Sequence, residues 1–258
     1  MRGALAVSVL LGISIGAATA ANAQPTEQPG FMPIVPALTV GKGTAPSTYG
    51  WAGTWFSNSY VGGYAGLMRT LNKSNNLWDD GFFIRFDSTG GSYNYSSVSY
   101  GSADVGMWTG DLMLGYRKRI DTTGTLSVSL GPAFEYHNNP DPAADIRGTE
   151  VGAKILAEYS STIDQNFQVN LQGSFATPFS VYAASGRVLY QVVDKVWVGP
   201  QATLYGNNAP YQEGTFGAFV KVDTEYGEFG VSGGYRRPFT SGDPDGYFAS
   251  LFFGLPIQ

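Results

Sequence analysis

Residues 166–175 read NFQVNLQGSF, and apolar and polar side chains alternate along this stretch. Phe167 and Leu171 fall on one face of an extended strand, whereas Gln168 and Gln172 fall on the other. In a soluble β-sandwich the apolar face would point to the core. In an outer-membrane barrel the pattern is inverted, with apolar side chains on lipid and polar ones in the lumen. The rest of the chain decides between these two interpretations.

The N-terminus, MRGALAVSVLLGISIGAATAANAQ (residues 1–24), has the parts of a secretory signal peptide. A positive residue precedes a short apolar stretch (5–15), and Ala-Asn-Ala at 21–23 forms a small-residue cleavage site. We therefore predict a signal peptide over residues 1–23 and export of the mature chain. Residues 24–48 are rich in Pro and small residues, which predicts a periplasmic tether or a plug of the lumen.

Composition favours strands over helices. The 258 residues include 35 Gly, 16 Tyr and 16 Phe, and only 14% are charged, which is typical of an all-β chain. After the signal peptide no apolar run approaches the roughly 20 residues of a spanning helix. The chain has no cysteine, so disulfides and thiolate metal sites are excluded. The net charge of −5 and the lack of a basic cluster exclude nucleic acid as a partner.

About twelve alternating strands follow one another from Tyr49 onward. They predict a closed antiparallel transmembrane β-barrel over residues 49–258, with ten strands as the alternative if the first hairpin is not part of the wall. An even number of strands brings both ends of the barrel to the periplasmic side and leaves no edge unpaired in lipid. In the second strand, Tyr60, Tyr64 and Met68 are expected on the lipid face, with Arg69 opposite.

Aromatic rings and connections both favour a membrane barrel over a secreted soluble β protein. Short connections such as 161–164 alternate with longer polar ones such as 138–148 and 238–246, as periplasmic turns alternate with outward loops. Rings that close the apolar face near strand ends are typical of the membrane interface. These predicted interface residues are Trp51, Tyr116, Tyr136, Tyr159, Tyr182, Tyr190, Tyr235 and Tyr247.

One stretch, DSTGGSYNYSSVSY (87–100), shifts the alternation. Tyr93 and Tyr95 do not continue the face of Phe82. We predict a bulge at Gly90-Gly91 within one long strand, because a turn there would leave an odd number of strands.

The face predicted to line the lumen carries both signs of charge, together with bulky rings such as Trp197 and Phe219. Interleaved charges can pair across a tight interior, so we predict a narrow or plugged lumen. A wider, water-filled pore with solvated charges remains the alternative. The candidate lumen-lining residues are Arg69, Arg85, Asp111, Arg117, Glu135, Lys154, Glu158, Arg187, Trp197, Lys221, Glu228 and Arg236.

Catalytic motifs are absent from the sequence. The single histidine, His137, lies at a position predicted to face the lumen, two residues after Glu135, but no serine-containing motif accompanies it. Acidic loop residues lack the spacing of a cation-binding loop. We therefore predict no catalysis, no metal site and no cofactor.

Five ordered stretches resemble the cellulose biosynthesis protein BcsS family, over nearly all of the chain after Tyr49. They are YAGLMRTLN…DDGFFIRFDSTGGSYNY (64–95), GDLMLGYR (110–117), RGTEVGAKILAE (147–158), VWVGPQATLYGNNAPYQEGTFGAFVK (196–221) and GEFGVSGGYR (227–236).

The resemblance implies an outer-membrane barrel of alphaproteobacterial type, in a Gram-negative cell, associated with cellulose or exopolysaccharide production. It supplies no catalytic motif. The expected role is an accessory or structural component of cellulose biosynthesis or secretion. Outer-membrane lipid is an expected partner, together with cellulose synthase or secretion components or the glucan itself. The alternatives are a passive porin and a barrel enzyme that acts on outer-membrane lipid.

Overall fold

The computed structural model describes residues 46–257 except 98–99, 122, 165, 208–210 and 240–243. The predicted signal peptide and residues 24–45 of the predicted tether lie outside the described residues. Among the described residues, no helix is long and apolar enough to cross a membrane. The strands are β1 (Thr48–Ser57), β2 (Tyr60–Thr70), β3 (Gly81–Ser97), β4 (Gly101–Arg119), β5 (Gly124–Asn138), β6 (Gly148–Asp164), β7 (Phe167–Ala176), β8 (Val181–Val193), β9 (Val196–Gly206), β10 (Gln212–Asp223), β11 (Glu228–Pro238) and β12 (Gly246–Ile257), with a short 3-10 turn at Pro178–Ser180.

The strands form one closed antiparallel barrel. Each strand pairs with its neighbours in the chain, and β1 pairs with β12, so that Thr48 lies opposite Ile257. Closure gives every strand two hydrogen-bonded neighbours, which a sheet needs in lipid. The structure thus confirms a twelve-stranded barrel and not the ten-stranded alternative. The end of the barrel that holds Thr48 and Ile257 is called the terminal end below, and the opposite end the distal end.

The outer surface of the barrel is apolar. Leu112, Leu130 and Phe216 point outward with 55%, 58% and 65% of their surface exposed. In residues 166–175, Phe167 and Leu171 are likewise exposed, whereas Gln168, Asn170 and Gln172 are buried inside. The polar side of the alternation therefore lines the interior, as the membrane-barrel interpretation requires.

Strand β3 corrects one prediction. It is a single long strand, as expected, but its pairing with β2 and β4 runs without a register shift through Gly90 and Gly91. The predicted bulge is therefore wrong. Tyr93 and Tyr95 lie on the same inward face as Arg85. No bulge is needed to place them there, because tyrosine in this barrel faces the interior as well as lipid.

The connections follow the predicted alternation only in part. At the distal end the β5–β6 connection is long, but β1 and β2 are joined by residues 58–59 alone. At the terminal end the β2–β3 connection spans residues 71–80, although short turns were expected there. This segment is long because it folds back over the barrel mouth: Leu77 is buried, and its N–H donates to the carbonyl of Pro46 at 2.9 Å.

Candidate functional site in the barrel interior

The interior has two chemically different walls. Aromatic rings cover the inner face of β12 and β1–β3, and we call this surface the aromatic wall. Its rings are all buried, and neighbouring rings pack on one another. Trp55 stacks on Phe248 with centroids 4.7 Å apart and planes 3° from parallel. The aromatic wall consists of Tyr49, Trp51, Trp55, Tyr60, Tyr64, Phe83, Tyr93, Tyr95, Phe248 and Phe252.

Glycines on the same inward face explain why large rings fit there. A Cβ at Gly66 would lie 2.3 Å from the Trp51 ring, and one at Gly53 would lie 2.3 Å from the Tyr64 hydroxyl. Each ring therefore lies flat over a glycine of the neighbouring strand, where any other residue would collide with it. The placement of Trp51 is a correction, because it was expected at the membrane interface but is buried inside. Tyr60, Tyr64 and Met68 were expected on lipid and are also inside.

A charged network lies at mid-height between the walls. Arg85 is fully buried and donates from Nε to Asp87 at 2.6 Å and from Nη1 to Glu158 at 2.8 Å. Its guanidinium also lies 4.8 Å from the centroid of the Trp51 ring. Beside it, the ammonium of Lys154 donates to Asp111. Charges of both signs are thus paired across the lumen, and buried charges require such pairing.

A second charged group lies near the terminal end. The Lys221 ammonium is 3.0 Å from Asp223 and 3.4 Å from Glu228. The Tyr49 hydroxyl donates to Glu228, and the Trp197 indole N–H donates to Asp223 at 2.8 Å. The two carboxylates therefore share one lysine, and each accepts a hydrogen bond from an aromatic side chain.

Two further arginines lie over aromatic rings, as Arg85 does over Trp51. Arg187 lies 3.9 Å from the centroid of Phe219, and its Nε donates to Gln201 at 3.2 Å. Arg117 lies 5.0 Å from the centroid of Trp78 and donates to the carbonyl of Leu77 at 2.7 Å. Cation–π contacts of this kind strengthen when water is excluded, and they tie Arg117 to the segment that closes the terminal end.

The second wall is made of amides and hydroxyls on β6–β10, and we call it the polar wall. Its residues lie in two adjacent rows of paired residues that run across the strands. In one row, Asn170 of β7 lies opposite Ser160 of β6 and Arg187 of β8. Ser160 donates to Asn170 at 2.9 Å. The amide and hydroxyl members of the polar wall are Ser160, Asn170, Gln172, Ser185, Gln201, Thr203 and Thr215.

Segments at each end close the interior. At the terminal end, Leu77 is buried and Trp78 packs edge-on against Tyr49, with centroids 6.4 Å apart. At the distal end, three connections each insert one apolar side chain into a common cluster. These residues, Ile146, Phe179 and Tyr211, are at most 1% exposed. We call this cluster the distal cap.

His137 lies beneath the distal cap, with both ring nitrogens occupied. Nε2 is 2.6 Å from Glu135, and Nδ1 is 3.1 Å from the Tyr93 hydroxyl. The Phe179 ring packs edge-on against the imidazole at 5.2 Å. A histidine held by a carboxylate and a tyrosine and covered by a phenylalanine ring is arranged as a buried packing element, because neither nitrogen meets a serine or cysteine nucleophile.

The structure buries all but one of the predicted lumen residues. The exception is Arg69, which is exposed on the outer surface at the terminal end of β2. The prediction for Arg69 is wrong because aromatic residues take the inward positions of this strand, and a long cation near a strand end can extend to the membrane interface. The residues that are buried are Arg85, Asp111, Arg117, Glu135, Lys154, Glu158, Arg187, Trp197, Lys221, Glu228 and Arg236.

A closed twelve-stranded barrel with an apolar outside and a charged inside defines an outer-membrane β-barrel protein. Within that class the family is also shown: the cellulose biosynthesis protein BcsS family matches residues 48–252, and the chain belongs to it. The match confirms the resemblance seen in the sequence.

Other comparisons give distant likenesses. No curated protein matches the chain. Among solved structures, the chain is similar to the KdgM porin, with 8% identity and a TM-score of 0.47 over 82% of this chain and 99% of that one. It is similar to the CymD monoaromatic hydrocarbon channel, with 8% identity and a TM-score of 0.48 over 83% and 90%. The β-domain of the Bordetella autotransporter BrkA gives 13% identity and a TM-score of 0.45 over 81% and 99%.

Proposed function

We propose that this protein is an accessory component of cellulose biosynthesis in the outer membrane and that it performs no chemistry of its own. Family membership over residues 48–252 is the observation that carries the proposal, because it links the chain to cellulose biosynthesis. The apolar outer face supports contact with outer-membrane lipid. Partners in this role are components of cellulose synthesis or secretion, or the glucan itself.

The filled interior favours an accessory role over a passive porin. Porins with aqueous channels use about 16–18 strands, whereas a smaller barrel is largely filled by its own side chains. Here paired charges and aromatic rings occupy the middle, and Leu77 and the distal cap close the two ends. A lumen arranged in this way serves as a rigid core for the barrel, and the outer face and the loops are left to meet partners.

A lipid-modifying enzyme is the less favoured alternative. Catalysis by a barrel histidine would need an accessible imidazole beside a nucleophile, whereas His137 is 1% exposed and bonded to Glu135 and Tyr93. We therefore expect His137→Gln to support normal cellulose deposition when it replaces the wild-type gene, since glutamine retains a hydrogen-bonding side chain of similar length.

Gene deletion tests the proposed function directly. A strain without the gene is expected to deposit less cellulose, and the wild-type gene is expected to restore deposition. Uptake of small solutes is measured in the same strains and is expected to stay unchanged. Unchanged cellulose together with lower solute uptake would overturn the proposal in favour of a porin. Loss of deposition in a folded His137→Gln variant would favour an enzyme.

A further inference from the structure

A small cavity lies directly beneath the distal cap. The space in it that the centre of a water-sized sphere can occupy is about 40 Å³. One water needs about 10–15 Å³ on this measure, so the cavity has room for about three waters and is too small for an organic molecule of ordinary size. The size of the cavity therefore restricts its ligand to water or to an ion of similar size.

Hydroxyl groups line the cavity. Thr89 on β3 and Thr109 on β4 are paired neighbours, and Ser174 on β7 lines the same space. These three side chains face the interior but are only half-buried, because the cavity leaves part of their surface uncovered. A hydroxyl both donates and accepts hydrogen bonds, which suits a bound water with two to four polar partners.

Tyr205 on β9 also lines the cavity and is 1% exposed. Its hydroxyl lies near the side chain of Asn207, but the two do not meet the geometry of a hydrogen bond, and the described part of the chain offers the hydroxyl no other partner. Buried hydroxyls rarely stay without a partner, because the unmade hydrogen bond leaves the full cost of desolvation. A water in the cavity supplies the bond that the protein does not make.

The charges on the cavity wall favour water over an ion. Lys154 donates to one oxygen of Asp111, and His137 is bonded to Glu135 at 2.6 Å. An anion would lie against both carboxylates, and a cation would lie against the Lys154 ammonium. A carboxylate accepts about four hydrogen bonds, so Asp111 can still accept one from a water after its bond to Lys154.

We propose that about three ordered waters occupy the cavity and join these groups into one hydrogen-bonded network. The waters bond to the Tyr205 hydroxyl and the Asp111 carboxylate, and they bridge the Asp111–Lys154 pair to the Glu135–His137 pair. The network thus extends the polar contacts of the barrel interior from the charged residues at mid-height to the underside of the distal cap. This inference is independent of the proposed function.

Contacts between water and alanine methyl groups test the inference, because methyl protons do not exchange with water. The mature protein, deuterated except at its alanine methyls, is refolded in deuterated detergent, and water–methyl NOE and ROE cross-peaks are recorded by NMR. Water held in the cavity gives NOE and ROE cross-peaks of opposite sign. They are expected at Ala133, Ala176 and Ala183, which line the cavity. Ala103 is the matched control, because it is buried among aromatic rings and should show no such cross-peak.

Tyr205→Phe removes one partner of the waters and keeps the ring. This variant is expected to weaken the water cross-peak at Ala183, which lies opposite Tyr205, and to leave the one at Ala133 unchanged. The loss of one ordinary hydrogen bond is expected to raise the equilibrium constant for urea unfolding about fivefold, whereas removal of a dry, unbonded hydroxyl would lower it.

Four results would overturn the inference: no water cross-peaks at the three cavity methyls, equal cross-peaks at Ala103, detergent cross-peaks at the cavity methyls when protonated detergent is used, or a Tyr205→Phe variant more stable than the wild type. Heat-modifiable migration on gels verifies folding. If Tyr205→Phe does not fold, the wild-type cross-peaks at the cavity methyls and at Ala103 decide the matter alone.

Discussion

Replacement of Arg85 is the sharpest test of the interior described above. Arg85 is 0% exposed and holds two carboxylates, Asp87 at 2.6 Å and Glu158 at 2.8 Å, while it covers the Trp51 ring. Arg85→Met keeps much of the side-chain volume but leaves both carboxylates buried without their cation. Removal of one partner from a buried ion pair costs about 3–5 kcal/mol. We therefore expect a loss of that size in the free energy of unfolding, and a urea midpoint lowered by roughly 1–3 M.

Equilibrium urea unfolding in lipid vesicles, followed by tryptophan fluorescence, measures this loss. Arg119→Met is the matched control, because Arg119 lies 3.6 Å from Asp79 in an exposed pair and should cost at most about 1 kcal/mol. Combining Arg85→Met with Asp87→Asn and Glu158→Gln removes all three charges and is expected to recover most of the lost stability. Equal losses for Arg85→Met and Arg119→Met, or no recovery in the triple variant, would refute the paired-charge interior.

Three further outcomes follow from the same structure. Gly66→Val is expected to destabilise the barrel by about 1–3 kcal/mol, because its side chain would enter the Trp51 ring, whereas Gly106→Val, with open space at its Cβ position, should be nearly neutral in the same urea assay. The mature chain in planar bilayers should show no large, stable single-channel conductance, and such conductance would contradict the closed lumen. Hydrogen bonds from the backbone and hydroxyl of Thr123 hold the pKa of Asp121 below its usual range. The ionised carboxylate therefore stabilises the β4–β5 turn at pH values above the usual aspartate pKa, and this stabilisation is lost as the pH falls through the lowered pKa. An NMR titration that finds an ordinary or raised pKa for Asp121 would contradict this.

The alternation of side chains predicts most of the barrel, because a strand between lipid and a polar lumen needs two different faces. In β7, Gln168 and Gln172 can only be lumen residues once Phe167 and Leu171 are on lipid. The twelve strands and their closure follow from the same rule. The orientation of β3–β12 is correct from sequence, and in β3–β11 charged or amide side chains mark the inward face.

The rule fails for β1 and β2, because neither of their faces is marked by mid-strand charges. Trp51 and Tyr64 resemble lipid-facing aromatics in sequence, and the exposed Arg69 resembles a lumen residue. The signal that could have corrected this is the spacing of glycine: Gly53 and Gly66 lie on the same face as the large rings. An inward glycine on one strand is the position over which a ring of the next strand can lie flat.

The closure of the two ends is beyond what alternation can predict. Ile146, Phe179 and Tyr211 belong to three different connections and meet only because the barrel brings those connections together at the distal end. Each residue alone resembles an ordinary loop residue. Alternation also cannot predict which charges pair. Arg85 and Glu158 are far apart in the chain, and their contact across the lumen depends on the barrel's diameter and shear.

The distribution of polar residues also bears on how the chain specifies its own register. A slip of one residue moves every side chain to the opposite face, so a strand that is apolar on both faces specifies its register weakly. In β3–β11 a slip would place charges such as Arg85, or amides such as Gln168, in lipid, and the cost of that enforces the native pairing. In β1 and β2 a slip would place apolar groups on either side at little transfer cost, but it would drive Trp51 and Tyr64 away from Gly66 and Gly53. At the closing seam of the barrel, the steric fit of rings over glycines thus specifies the strand register, which buried polar and charged side chains specify elsewhere.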